Sequence, residues 1–495
     1  MMRFIIAQRY RLFFGILAIL FLTVYSFGQI LSLSFGWDDY TNLYYLVHNK
    51  SFQYPYYADQ LRVLPLFRLF SLSPQPYYIV SLTLFFLDTL LVTILTYRIT
   101  LHYKTAWIAG AMFILLSVGS DGMYYAMEGI RNTQFLFLLL CTLLILYEYG
   151  RHRRTTLYIP LYILFVITTT IFPYRAFFLL PLLVIYGLPV FNLRILPFVL
   201  ADVTVFGLLP KWLSPQSSMG HIHPLDFLNS SLPHLLQNFL FTFLYSLIPN
   251  TLPARFPEWQ PIAGTYFPPI GLILLFCIVF FLIRNRSRKP YRFLLMNILS
   301  IAVISFSFSL ITNEYMDTNY RYLLAVRPFV AMFLSGLLIC RTRKWIIFLI
   351  IFLVTIHALK HVEYQNQVII MRGSFAKKAI ATILTHVPSI RGNTLFFLDA
   401  STNELRHRFG EAVQVGTFPS GASLATYYKT TYDRIEITDY VHCDVFESIL
   451  KSWKNQPINL YYFIATEDGI SPGPKENSYQ RCNLNPAYFN GASVQ

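Results

Sequence analysis

The chain has 495 residues, of which 55% are hydrophobic and 13% charged, about half the roughly 25% charge of an ordinary soluble domain. That leaves too little polar surface for a water-soluble globule, and repeated apolar runs of about 20 residues match the length a bilayer demands of a helix. Lys and Arg number 39 against 24 Asp and Glu, a formal net charge of +15, but these cations fall in short clusters between apolar runs. That is the signature of loops retained on the cytoplasmic side and not of a nucleic-acid surface, so no nucleic-acid partner is expected.

In chain order, Arg3, Arg9 and Arg11 precede an apolar stretch over 12–33, read as an uncleaved signal anchor with a cytoplasmic N-terminus. The loop 34–76 is then external. Spans follow over 77–99, 106–118 and 133–147, with Arg98 and Lys104 on one side and Asp121 through Arg131 on the other. The cluster Arg151, His152, Arg153 and Arg154 marks the cytoplasm. Spans over 157–171 and 177–191 form a hairpin around Pro173 and Arg175, and Arg194 opens another that ends near 209. An external loop, 211–265, contains an amphipathic segment, 225–248, with His234, Gln237 and Asn238, expected to lie on the membrane.

The last spans are 266–283, 293–311, 322–340 and 345–359. Between them, Arg284, Arg286, Arg288, Lys289 and Arg292, then Arg341, Arg343 and Lys344, fall on the cytoplasmic side. About eleven transmembrane helices are expected over 1–360, an all-α polytopic membrane domain. Beyond 360 charges reach ordinary density, and 361–495 reads as a small extracytoplasmic α/β domain. Its helix is expected over 372–387 and its strands over 394–398, 434–437 and 458–464. Cys141, Cys277 and Cys340 lie in spans as small hydrophobes; Cys443 and Cys482 lie in the tail, where a disulfide is an open alternative. There is no Gly-rich phosphate loop, no Cys/His metal spacing and no nucleophile elbow.

Gly36-Trp37-Asp38-Asp39-Tyr40 follows the first span. Adjacent carboxylates repel unless something offsets them: a proton taken up by one, a divalent metal such as Mg or Mn held by both Asp38 and Asp39, or a substrate. A solvated helix end is the plain alternative. The same loop carries Asp59, Arg62 and Arg68 among Tyr44, Tyr45, Phe52, Tyr54, Tyr56 and Tyr57, composition suited to a carbohydrate face or to an interfacial aromatic belt. Glu128 and Arg131 sit three apart, within ion-pairing reach on a helix, as a structural pair or as ionisable groups at the membrane boundary. Arg321, beside Tyr322, and Arg327 open a late span, where a guanidinium fork suits a lipid phosphate or snorkels to headgroups. His221 and His223 lack a third ligand, and Arg175 and Arg255 are isolated external cations.

This constellation resembles the GT-C superfamily of polytopic glycosyltransferases, in particular the branch with protein mannosyltransferases and lipid A aminoarabinose transferases. The resemblance covers roughly the first 360 residues. It rests on Asp38-Asp39 in the first external loop, Glu128-x-x-Arg131 leading into a span, and Arg321-Tyr322-Leu323-Leu324-x-x-x-Pro328 opening a late one. The resemblance implies transfer of a sugar from a polyprenyl-phosphate carrier to a glycan, lipid or protein acceptor on the outer face of a bacterial plasma membrane. It makes Asp38 the base, Asp39 its assistant through metal or acceptor contacts, and Glu128, Arg131, Arg321 and Tyr322 substrate contacts, with Arg321 on the leaving phosphate; Asp59 and Arg62 join them as substrate contacts on the loop's composition. The competing readings are a transporter or flippase, which calls for charges within several spans, and an envelope polysaccharide polymerase or ligase.

Overall fold

A computed structural model describes residues 2–48, 57–116, 120–152, 154–172, 178–187, 196–204, 232–247, 259–311, 320–340, 344–390, 392–399, 421–430, 435–439, 453, 458–466 and 469–474. The helices are α1 (Met2–Phe27), α2 (Trp37–Val47), α3 (Tyr57–Phe70), α4 (Pro74–Thr100), α5 (Tyr103–Leu115), α6 (Ala126–His152), α7 (Thr155–Ile171), α8 (Leu179–Gly187), α9 (Leu196–Val203), α10 (Leu232–Leu247), α11 (Trp259–Arg284), α12 (Lys289–Ile311), α13 (Arg327–Gly336), α14 (Lys344–His386) and α15 (Gly421–Tyr427). Four strands follow the same numbering: β1 (Asn393–Asp399), β2 (Ile435–Asp439), β3 (Ile458–Thr466) and β4 (Gly469–Pro472).

Among the described residues four segments are long and apolar enough to cross a membrane: Leu12–Ser32, Pro74–Thr100, Ala126–His152 and Lys289–Ser309. Six shorter apolar helices accompany them. Their outward faces are apolar as well. Trp345, Phe348, Leu349, Phe352, Leu353 and Ile356 form an exposed stripe along α14, and Leu272, Ile273, Phe276 and Phe280 another on α11. Exposed stripes of this size at helical spacing need an apolar solvent, and the chain is a helical membrane protein.

The interior of the bundle is built around α4, which packs against α5 and α6, while α13 packs against α5 and α12. Phe85, Val92, Phe113, Leu136, Leu139, Ile298, Phe329 and Val330 are fully buried there. In α4 the hydroxyls of Thr89, Thr93, Thr96 and Thr100 each donate to the carbonyl four residues back, at 2.7–2.9 Å. Polar side chains are thereby satisfied within the helix, as a low-dielectric surrounding requires.

Two expectations change. The segment 225–248, read as lying on the membrane, contains α10, which packs between α11 and α12; Asn238, Thr242 and Ser246 on it are buried. These three face protein rather than headgroups. Of the spans expected over 177–191 and 194–209, α8 and α9 fall within the described residues, and the remainder lies outside them. The break expected near 360 is absent: α14 runs unbroken for 43 residues, about 65 Å at 1.5 Å per residue, from the last apolar segment into the α/β domain.

That domain has the sheet order β2-β1-β3-β4. Strand β1 pairs in parallel with β2 (Leu398↔Asp439) and with β3 (Asp399↔Ile464), and β4 returns antiparallel to β3. Being central and parallel, β1 is buried along its whole length. Phe375, Ala379 and Ile383 of α14, with Val387 just beyond its end, pack against Phe396, Leu398, Phe463 and Ala465 of the sheet and Leu424 of α15, the face expected from their spacing. Tyr44 of α2 belongs to the same core.

Candidate functional site

After α1 the chain makes a 3-10 turn over Gly28–Ser32 and then runs without helix to Gly36, after which α2 begins. A Cβ on Gly36 would lie 2.5 Å from the Tyr125 ring, so the glycine permits the close approach of the segment before α6. Asp38 and Asp39 occupy the first turn of α2. The Asp38 side chain lies outside the described residues, as do those of Asp59 and Arg62 on α3, which packs on α2.

Asp39 is fully buried. Its Oδ2 accepts the Gly36 N–H at 2.9 Å and the Ala126 N–H at 2.9 Å, and its Oδ1 accepts the Met127 N–H at 2.8 Å. Ala126 and Met127 open α6, so one carboxylate serves the free amides at the starts of two helices, facing the positive end of both dipoles. This offsets the repulsion between tandem acids. A divalent ion held by both carboxylates would share the Asp39 oxygens with these three backbone donors. Among the described residues no three His, Cys, Asp or Glu side chains are grouped to hold a metal.

Tyr78 of α4 reinforces the same junction. Its hydroxyl lies 3.0 Å from the Ser34 carbonyl oxygen and 2.9 Å from that of Tyr124, bridging the entries of α2 and α6. Gly129 brings α6 against α4; a Cβ there would lie 2.6 Å from the Ser81 hydroxyl. One residue before it, Glu128 pairs with Arg131 at 2.6 Å, both largely buried. The segment Tyr320–Ala325, carrying Arg321 and Tyr322, packs against Ser120–Met123 and against α6; the side chains of Arg321, Tyr322 and Asp121 lie outside the described residues. The segments bearing Asp38-Asp39, Glu128-Arg131 and Arg321-Tyr322 thus meet around the beginning of α6.

Arg327 does not join them. It is fully buried, donates from Nε to the Phe113 carbonyl and from Nη2 to that of Ile114 at 2.6 Å, and stands over the rings of Phe27, Phe85 and Phe113 at 5.4–5.6 Å. It caps the C-terminal carbonyls of α5 in an aromatic cage, which differs from both readings, phosphate contact and snorkelling. Arg175, His221, His223, Arg255, Cys443 and Cys482 lie outside the described residues. Cys141, Cys277 and Cys340 are free thiols.

The α/β domain also reaches this junction. The hydroxyls of Tyr40 on α2 and Tyr427 on α15 are 3.3 Å apart, either one donating, and Tyr40 is wholly buried against Phe35. Burial, and then the Tyr427 hydroxyl, holds the Tyr40 phenol well above its ordinary range. Tyr78 and Tyr427 were not legible as site residues: a tyrosine at the outer end of a span reads as interfacial belt, and nothing local links position 427 to position 40. No protein-family model matches the chain, and no curated protein matches it.

Proposed function

We propose that the chain is a membrane glycosyltransferase that moves a sugar from a polyprenyl-phosphate donor to an acceptor at the outer face of the membrane. What carries this reading is the meeting of three segments, those of Asp38-Asp39, Glu128-Arg131 and Arg321-Tyr322, at the start of α6. Asp38 takes the proton of the acceptor hydroxyl as its oxygen bonds to the anomeric carbon, and the bond from that carbon to the phosphate oxygen breaks with inversion. The lipid phosphate leaves with the electron pair, and a cation such as Arg321 stabilises the growing charge. Asp39 holds α2 in place, and no step is routed through a metal. The full topology of about eleven spans belongs to the same proposal, with a cytoplasmic N-terminus and an external α/β domain in a bacterial plasma membrane.

The test uses purified chain in lipid nanodiscs with a panel of polyprenyl-phosphate monosaccharides and a membrane glycolipid fraction as acceptor. Release of free polyprenyl phosphate and labelling of the acceptor are both read. Asp38→Asn is expected to abolish transfer while insertion and melting temperature stay parental. Parental transfer by the variant would remove Asp38 as base, and absence of transfer by the parental chain with every donor would remove the reading altogether.

A further inference from the structure

Helix α2 has 11 residues, shorter than the roughly 12–15 at which an isolated helix is even marginal in water. Its stability comes from what it packs against, and it is shared between two bodies. Tyr40 and Tyr44, one turn apart, meet the α/β domain: Tyr40 pairs with Tyr427, and Tyr44 enters the core formed by α14, α15 and the sheet. Asp39, on the same turn, is bonded to the first amides of α6. A continuous path of contacts therefore runs from the α/β domain through α2 to the helix that bears Glu128 and Arg131. The domain itself is also tethered by the unbroken α14, which joins it to the last apolar segment.

We propose that the α/β domain is the clamp that positions the site, with Tyr427 as a positioning residue that fixes α2 and, through Asp39, the entry of α6. The link to transfer rests on the glycosyltransferase reading; the clamp is measurable without any donor. The full chain in lipid nanodiscs is compared with Tyr427→Ala and Tyr427→Phe by amide hydrogen exchange over 37–47, 124–130 and 393–399. Tyr427→Ala is expected to speed exchange at least about tenfold over 37–47 and 124–130 while 393–399 stays protected, and Tyr427→Phe, which keeps the ring, by about threefold. In the transfer assay kcat is expected to fall about tenfold in Tyr427→Ala, with the donor KM within about twofold and most of the rate restored in Tyr427→Phe.

Unchanged exchange over 37–47 would show that the domain does not hold α2. Faster exchange there with 124–130 unaffected would show that the hold is not passed on. If Tyr427→Ala also loosens 393–399, the ring-preserving variant decides the same two points. A loosened α2 with parental kcat overturns the positioning role. A parental chain that transfers no sugar sinks the glycosyltransferase reading and leaves the exchange result to judge the clamp.

Discussion

The Asp39 carboxylate accepts the Met127 N–H at 2.8 Å across 88 positions of sequence. A side chain from one short helix thereby caps another, and the start of α6 is fixed by a residue that neighbours the candidate base. Removing it exposes the consequence. Asp39→Ala leaves three buried amides without an acceptor, those of Gly36, Ala126 and Met127. Each buried amide left unpaired costs about 1–3 kcal/mol, and lost caps cost about 0.5–2 kcal/mol, so a loss of at least about 3 kcal/mol is expected. Asp39→Asn keeps one acceptor oxygen and is expected to fall between the two. Thermal melts in nanodiscs check the order; an Ala variant as stable as the parent would mean the junction does not depend on this carboxylate.

How far the sequence reveals such a junction depends on the range of the interactions. The strands were readable: 394–398 and 458–464 lie inside Asn393–Asp399 and Ile458–Thr466, because buried parallel strands are short apolar runs. Strand 434–437 overlaps Ile435–Asp439 and ends two short of Asp439. Residues 372–387 have the spacing of the helix that covers the sheet, and Phe375, Ala379, Ile383 and Val387 do face it. The polar residues of 225–248 misled because a helix that turns Asn238 and Thr242 toward protein has the same periodicity as one that turns them toward headgroups. The roles of Asp39, Tyr78 and Arg327 were hidden for a different reason. Apart from Gly36, their hydrogen-bonded partners lie 44 to 214 positions away, and no local pattern encodes them.

Arg327 makes a second case. Its two-pronged donation to the carbonyls of Phe113 and Ile114 needs the planar fork of a guanidinium. Arg327→Lys keeps the charge but cannot serve both carbonyls from the same position, and the aromatic cage leaves little room for it to move. A loss of about 1.5–3 kcal/mol is expected, the scale of one hydrogen bond to a charged group. Binding of polyprenyl phosphate, followed by native mass spectrometry, is expected to remain parental. Loss of that binding in a variant that melts normally would instead make Arg327 a phosphate contact.

Asp88 runs opposite to these. It is fully buried in α4, and among the described residues neither carboxyl oxygen has a hydrogen-bond partner. A buried polar group without a partner opposes folding by about 1–3 kcal/mol on the scale of protein mutational data. Replacing it by an apolar side chain, Asp88→Val, is therefore expected to raise the melting temperature. A fall would reveal a hydrogen bond to this carboxyl from elsewhere in the protein.

Tyr428 offers a pH test confined to the α/β domain. Its hydroxyl donates to the Val387 carbonyl at 2.5 Å and its ring stacks on Phe396. Burial, and then the neighbouring Tyr461, pushes its phenol above the ordinary range. Below about pH 10, the ordinary phenol value, Tyr428 keeps its proton both folded and unfolded, so it adds no pH dependence. Above that value the unfolded chain releases the proton while the folded chain retains it, so folding loses stability as pH rises. Melting of the α/β domain is expected to show an alkaline decline that is shallower in Tyr428→Phe. That variant also gives up the bond to Val387, about 1 kcal/mol, at neutral pH. An identical alkaline slope in parent and variant would assign the decline to another group.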